Sequence, residues 1–98
     1  LSPSSAASDV YKRQAYYVLE DTFEKGDMDK TEKAIFAYSE REPQAYWLAK
    51  AFILLGDVYV RKGDNFQARA TYQSVADGYS PADDGIVDEA KERIAKLN

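Results

Sequence analysis

The chain has 98 residues, 45% of them hydrophobic, and a formal net charge of −4, so it can form one small domain with a thin core. It contains neither cysteine nor histidine, which excludes disulfides and thiolate chemistry and removes the commonest general base and transition-metal ligand. Thirteen basic residues form no stripe of the kind that nucleic-acid binders carry, and no apolar run approaches the roughly 20 residues of a membrane helix.

Residues 1–14 are expected to be unstructured and foreign to the fold. The run from Ser4 to Gln14 can be encoded, in one frame across eleven codons, by a string that resembles the transposase adapter used to prepare sequencing libraries. We therefore expect the fold to begin at Ala15 and the chain to be the C-terminal part of a longer protein. A natural linker rich in serine and alanine is the alternative.

From Ala15 onward the apolar residues recur at helical spacing, which predicts two helices over 15–25 and 28–40. Gly26 suits the left-handed residue that closes a helix, and Asp27 can cap the one that follows.

A third helix is predicted over 43–62, with Pro43 in its first turn. This segment is apolar on nearly every side, so we expect it to be central and covered by its neighbours.

Gly63 and Asp64 repeat the helix-ending glycine and helix-capping aspartate of Gly26 and Asp27. Asp64 with Gln67 also resembles a capping box. They predict a fourth helix over 65–78. A fifth helix over 83–97 has one apolar stripe and one charged face, as expected where a helical array ends.

The two halves of the chain are related by an internal repeat. Glu24-Lys25-Gly26-Asp27 recurs as Arg61-Lys62-Gly63-Asp64, 37 residues later. The second unit resembles the tetratricopeptide repeat, whose pattern is W-x2-L-G-x2-Y, then A-x3-F, then a proline, through Phe52, Leu55, Gly56, Tyr59, Ala68, Tyr72 and Pro81.

The first unit matches the pattern less well, since Thr22 and Thr31 replace the usual tyrosine and alanine. The resemblance covers about Ala15 to Leu97. It implies an all-α fold of antiparallel helix–turn–helix repeats, a TPR-like α-solenoid with about two repeats and a C-terminal capping helix over residues 15–98.

No catalytic, metal or cofactor site is predicted. The acidic residues near position 85 do not fit a calcium loop, because Lys91 stands where that loop needs a glutamate. Isolated glycines form no phosphate-binding motif.

The resemblance implies that a partner binds on the concave face, which the first helix of each pair lines. By register with the motif, this face carries Tyr16, Glu20, Phe23, Lys50, Ile53, Asp57 and Arg61. An ordinary surface, or a seam covered by further repeats, is the alternative. The clamp of Lys, Asn and Arg that chaperone-binding relatives use is missing at the comparable positions.

We therefore predict a protein–protein interaction scaffold with a protein or peptide partner, and no enzyme. The segments 72–81 and 89–95 resemble repeats of bacterial cell-envelope assembly proteins, which favours the envelope over the cytoplasm. The alternative is an oligomerisation or docking element. In that role Tyr16, Tyr17 and Phe23 would be exposed on the first helix pair and would promote self-association.

Overall fold

The computed structural model describes residues 5–81 and 83–97 and contains no β-strand within them. Its five helices are α1 (Ser5–Glu24), α2 (Met28–Arg41), α3 (Ala45–Arg61), α4 (Asn65–Gly78) and α5 (Ile86–Ala95). The prediction of an all-α chain with five helices is confirmed.

Helix α1 begins at Ser5 rather than Ala15, so the prediction that residues 5–14 are unstructured is wrong. This stretch contains neither glycine nor proline, the two residues that most disfavour a helix interior. Lys12 also joins this stretch to the connection between α2 and α3. Its ammonium donates to Gln44 Oε1 at 3.0 Å and lies 3.5 Å from the Glu42 carboxylate. Residues 1–4 lie outside the described residues, and the foreign origin of the segment stays a prediction.

The two Gly-Asp junctions are built alike. Gly26 and Gly63 have φ angles of +91° and +81°, in the left-handed region that closes a helix. Oδ1 of Asp27 accepts from Lys30 N–H at 3.0 Å, and Oδ1 of Asp64 accepts from Gln67 N–H at 3.0 Å. Both predicted caps are therefore confirmed.

Two predicted helix starts are displaced. Helix α3 begins at Ala45, so Pro43 precedes the helix and does not lie in its first turn. Glu42 is extended at φ −91° and ψ 113°, and its carboxylate accepts from Gln44 N–H at 2.8 Å, which holds the connection as a turn. Helix α5 begins only after Gly85, whose φ of +86° interrupts the predicted segment.

The helices form two layers. Helix α3 lies between α1 and α5 and contacts both, whereas the described backbones of α1 and α5 do not approach each other closely. Helix α2 packs on α1 and α3, and α4 packs on α3 and α5. The first layer is therefore α1, α3 and α5, and the second is α2 and α4.

Helix α3 is central, as predicted, and supplies more buried residues than any other described helix. Its buried residues are Trp47, Ala49, Ala51, Ile53, Leu54, Leu55, Gly56, Val58 and Tyr59. The expectation that Tyr16 and Phe23 are exposed is wrong, because only 6% and 8% of their surfaces are accessible. These two residues and Leu19 share one face of α1, at spacings of three, four and seven, and that face is covered. Tyr17 and Val18, which lie between these residues, are exposed, as are Val10 and Tyr11 nearer the start of the helix.

Candidate functional site

Two pockets follow each other along the layer of α1, α3 and α5. Pocket A lies between α1 and α3, has a volume of about 380 Å³ and is lined by Asp9, Arg13, Tyr16, Tyr17, Glu20, Gln44, Tyr46, Trp47 and Lys50. Pocket B has a volume of about 370 Å³ and is lined by Phe23, Asp57, Val60, Arg61, Tyr72, Arg93, Lys96 and Leu97.

Pocket A is aromatic. The ring centroid of Trp47 lies 5.8 Å from that of Tyr16 and 5.0 Å from that of Tyr46, the latter in an edge-to-face arrangement. The ammonium of Lys50 lies 5.5 Å from the Tyr16 centroid and 5.9 Å from the Tyr46 centroid. Such cation–π contacts hold a charge at the surface of an apolar wall. Pocket A can therefore receive an apolar or aromatic side chain beside a fixed cation.

The Tyr16 hydroxyl belongs to a ring that is almost fully covered. Burial raises its pKa well above the ordinary value of 10.0, and the negative charge of Glu20 raises it further. The phenol is therefore neutral at physiological pH and keeps its proton for hydrogen bonding.

Pocket B contains a half-buried polar network. The Tyr72 hydroxyl donates to Oδ1 of Asp57, and Arg93 Nε lies 3.0 Å from the same oxygen. Arg93 Nη1 also lies 3.0 Å from a carboxylate oxygen of Glu89, one turn earlier on α5. The network ties α3, α4 and α5 together at the base of the pocket.

Asp57 is partly withdrawn from water. Burial raises the pKa of its carboxyl above the ordinary value of 3.8, and the Tyr72 hydroxyl and the Arg93 guanidinium only partly offset that effect. Because its partners already occupy it, Asp57 serves to hold Arg93 in place and offers little charge to a ligand.

Arg61 stands at the opposite wall of pocket B. Its guanidinium lies 4.3 Å from the ring centroid of Phe23, a stacking distance. Within the described residues, neither Arg61 nor Lys96 takes part in a salt bridge.

Of the seven residues predicted for the concave face, six line the two pockets. Tyr16, Glu20 and Lys50 line pocket A, whereas Phe23, Asp57 and Arg61 line pocket B. Ile53 is buried and lines neither pocket.

Sequence reasoning missed the contribution of α5 to pocket B. Arg93 belongs to the charged face that the sequence predicts for the fifth helix, and in the structure it pairs with Asp57 on α3. A signal was present, because Ile86, Ala90, Arg93 and Leu97 recur at helical spacing on one side of α5. An arginine in an apolar stripe indicates a partner carboxylate on the facing helix.

Over the same described ranges, no three acidic side chains are grouped so that they could hold a metal ion. None of the five helices is long and apolar enough to cross a membrane.

Comparison with known proteins identifies no family for this chain. No model of a protein family matches the sequence, and neither curated proteins nor solved structures give a match. Function has to be argued from pockets A and B themselves.

Proposed function

We propose that this chain is a protein–protein interaction scaffold of tetratricopeptide type, which binds an extended peptide across the layer of α1, α3 and α5. The repeated Gly-Asp junctions and the two-layer packing of successive helix pairs support the repeat assignment. A place in bacterial cell-envelope assembly stays a prediction from the sequence resemblance.

The spacing of the two pockets carries the proposal. Tyr16 and Phe23 are seven residues apart on α1, and Lys50 and Asp57 are seven residues apart on α3. Seven helical residues rise about 10 Å, a distance that an extended peptide covers in about three residues. One peptide could therefore place side chains three positions apart into pockets A and B.

The chemistry of the pockets favours binding over catalysis. Asp57 accepts hydrogen bonds from Tyr72 and Arg93, so it is not placed to take a proton from a substrate. Aromatic and aliphatic side chains line pockets A and B together with eight charged residues, and this mixed lining supports recognition of a peptide.

A display experiment tests the proposal. The full chain is used to select from a library of random heptapeptides fused to a carrier through their N-termini. Selected peptides are then synthesised and titrated against Lys50→Glu in pocket A, Arg61→Glu in pocket B and the matched control Lys33→Glu on α2. We expect both pocket variants to bind at least about tenfold more weakly than the control, with unchanged circular dichroism. Failure to select any peptide, or equal binding by all variants, would refute the proposal.

A docking or oligomerisation element is the second candidate, and an exposed groove favours it. The outer side of α1 and α2 has a groove of about 370 Å³ lined by Ala15, Val18, Leu19, Ala34, Ala37, Tyr38 and Arg41. Val18 is 63% exposed there, a large fraction for a valine. If Lys50→Glu and Arg61→Glu weaken peptide binding but leave the oligomeric state unchanged, peptide binding and oligomerisation are separate functions.

A further inference from the structure

A groove between α2 and α4 is separate from pockets A and B. The described backbones of α2 and α4 do not approach each other closely, so one face of α3 forms the floor between them. This Phe66 groove has a volume of about 420 Å³ and is lined by Phe36, Phe52, Leu55, Tyr59, Phe66, Gln67, Ala70, Thr71 and Ser74. None of these residues lines pocket A or pocket B.

The Phe66 groove offers a carbon surface. Phe66 and Phe36 are 84% and 43% exposed, large fractions for phenylalanine. None of the described lining residues carries a charge. The Thr71 and Ser74 hydroxyls donate to backbone carbonyls of α4 at 2.8 Å and 2.7 Å, so their protons are already bound. The groove therefore suits apolar side chains.

One end of the Phe66 groove is acidic. The Tyr59 hydroxyl donates to the Glu32 carboxylate at 2.9 Å, and the side-chain amide of Gln67 donates to the Asp64 carboxylate at 2.9 Å. The backbone N–H of Gln67 also bonds to Asp64 and lowers the pKa of that carboxyl. Two carboxylates are thus bound directly to residues that line the groove.

A third carboxylate lies at the same end. The Lys62 ammonium lies 2.6 Å from Oδ1 of Asp29 and 2.8 Å from Oε1 of Glu32. Its hydrogen bonds lower the pKa of both carboxyls, so both are ionised at neutral pH. Lys33 lies one turn from Asp29 on α2. Three carboxylates, with Asp64 included, against two ammonium groups leave an excess of one negative charge, and the Asp29 side chain is 82% exposed.

The length of the Phe66 groove matches two turns of a helix. Phe66, Ala70 and Ser74 recur every four residues along α4, and eight helical residues rise about 12 Å. The apolar stripe of an amphipathic helix, with residues at i, i+4 and i+7, has a similar length. The small side chains of Ala70 and Ser74 allow such a helix to approach closely.

We propose that the Phe66 groove binds an amphipathic helix of another protein, with its apolar stripe on Phe36 and Phe66 and a Lys or Arg beside Asp29 and Asp64. Apolar anchors at helical spacing hold a helix in a groove, and the acidic end fixes its direction. This surface is not the one assigned to peptide binding above, so the proposal does not depend on that function.

The charge of the Phe66 groove favours this partner over other occupants. A second copy fits less well, because the chain has a net charge of −4 and brings no excess of cations to the acidic end. Anionic lipid surfaces and nucleic acids attract basic patches, and the acidic end repels them.

Selection from a library of helical peptides tests the proposal. Peptides of about 18 residues, long enough to form a helix in water, have one face randomised in an alanine-rich frame and are selected on the full chain. Selected peptides are titrated by fluorescence polarisation against the wild type, Phe66→Ala and Asp29→Lys. Tyr11→Ala is the matched control for the loss of an exposed ring. Asp21→Lys is the control for charge reversal at an exposed aspartate paired with a lysine.

We expect the selected peptides to carry Lys or Arg at one end of their apolar stripe. Phe66→Ala should bind them at least about tenfold more weakly than Tyr11→Ala, because the exposed ring forms a wall of the groove. Asp29→Lys should bind at least about threefold more weakly than Asp21→Lys, and added salt should reduce that difference. Circular dichroism checks that every variant is folded.

Four results would overturn the proposal. They are failure to select any helical peptide, selected peptides without an excess of Lys and Arg, equal binding by either variant and its control, and a wild-type dimer that Phe66→Ala abolishes in static light scattering. The last result would assign the groove to a second copy. Pockets A and B are tested separately by Lys50→Glu and Arg61→Glu, which should leave the binding of helical peptides unchanged.

Discussion

Gly56 on α3 lies directly against the aromatic ring of Tyr72 on α4. A β-carbon placed on Gly56 would lie 2.6 Å from Cδ1 and 2.7 Å from Cζ of that ring, far inside van der Waals contact. The ring is 1% exposed, and its hydroxyl is bound to Asp57, so it has little room to move. The absence of a side chain at position 56 therefore sets how closely α3 and α4 approach.

We expect Gly56→Ala to destabilise the fold by about 1–3 kcal/mol, because even a methyl group overpacks this contact. The higher helix propensity of alanine opposes this loss by only about 1 kcal/mol. Gly78→Ala is the matched control, since Gly78 also lies in a helix but has no heavy atom within 4 Å of its virtual β-carbon. Urea unfolding measures the free energy of unfolding of both variants. A Gly56→Ala protein as stable as the wild type would show that the Tyr72 ring can shift to make room for the methyl group.

The corresponding contact in the first helix pair is built from different residues. At the positions 37 residues earlier, Leu19 stands for Gly56 and Ile35 stands for Tyr72, and both are buried. The first helix pair therefore has a larger residue at the glycine position and a smaller one at the tyrosine position. Thr31, in place of alanine, is fully buried and satisfies its hydroxyl on the Asp27 carbonyl at 2.7 Å.

The features of the fold that could be predicted from the sequence are those set by residues close together in the chain. The Gly-Asp junctions and the apolar character of α3 depend on neighbouring residues, so they predicted the helices and the central position of α3 correctly. The early start of α1 is compatible with the local sequence as well, because residues 5–14 contain neither glycine nor proline. Pocket B was only half predicted, because the partner of Asp57 is Arg93, which lies on another helix and is fixed by packing.

Two tyrosine hydroxyls should respond oppositely to removal. The Tyr72 hydroxyl binds Asp57, whereas the buried Tyr38 hydroxyl has no hydrogen-bond partner among the described residues. We expect Tyr72→Phe to cost about 1–3 kcal/mol and Tyr38→Phe to be neutral or to stabilise by up to about 1 kcal/mol. Thermal unfolding of both variants measures the difference. A Tyr38→Phe loss as large as that of Tyr72→Phe would mean that Tyr38 is hydrogen bonded.

The raised pKa of Asp57 predicts an unusual pH dependence. Burial raises this pKa in the folded state, so above 3.8 the native protein binds more protons at Asp57 than the unfolded chain does. The contribution of Asp57 to stability must then fall as pH rises through the folded pKa, despite the nearby Arg93 and Tyr72.

We therefore expect the stability of the wild type, relative to Asp57→Asn, to decrease as pH rises from the ordinary carboxyl pKa of 3.8 through the higher pKa that Asp57 has in the folded state. Urea unfolding at several pH values measures this difference. Glu89 also faces the network, so Glu89→Gln in both backgrounds tests whether its charge contributes to the slope. A difference that increases with pH would show that the ion pair with Arg93 outweighs burial.

The N-terminal turns of α1 should contribute little to stability. In the described residues, the side-chain hydrogen bonds and ion pairs that join these turns to the rest of the chain are those of Lys12 with Gln44 and Glu42. Partly exposed ion pairs are worth about 0–1 kcal/mol, so we expect Lys12→Ala and deletion of residues 1–14 to fall in that range. Equal small losses in the two proteins would trace the effect to Lys12. A loss of several kcal/mol on deletion alone would show that this segment packs as an integral part of the fold.

The last prediction concerns self-association. Two exposed apolar surfaces compete for this role: the α1/α2 groove around Val18, and a groove of about 420 Å³ across α2, α3 and α4 that includes Phe36 and the 84% exposed Phe66. The first has three alanines that allow another helix to approach closely. We therefore expect the chain to associate at high concentration through the α1/α2 groove, so that Val18→Glu abolishes the association and Phe66→Glu does not. Static light scattering over a concentration series on the two variants and the wild type measures the mass of each. Loss of association in Phe66→Glu alone would show that the interface is the Phe66 surface instead. A wild type that stays monomeric at every concentration would show that this chain does not self-associate.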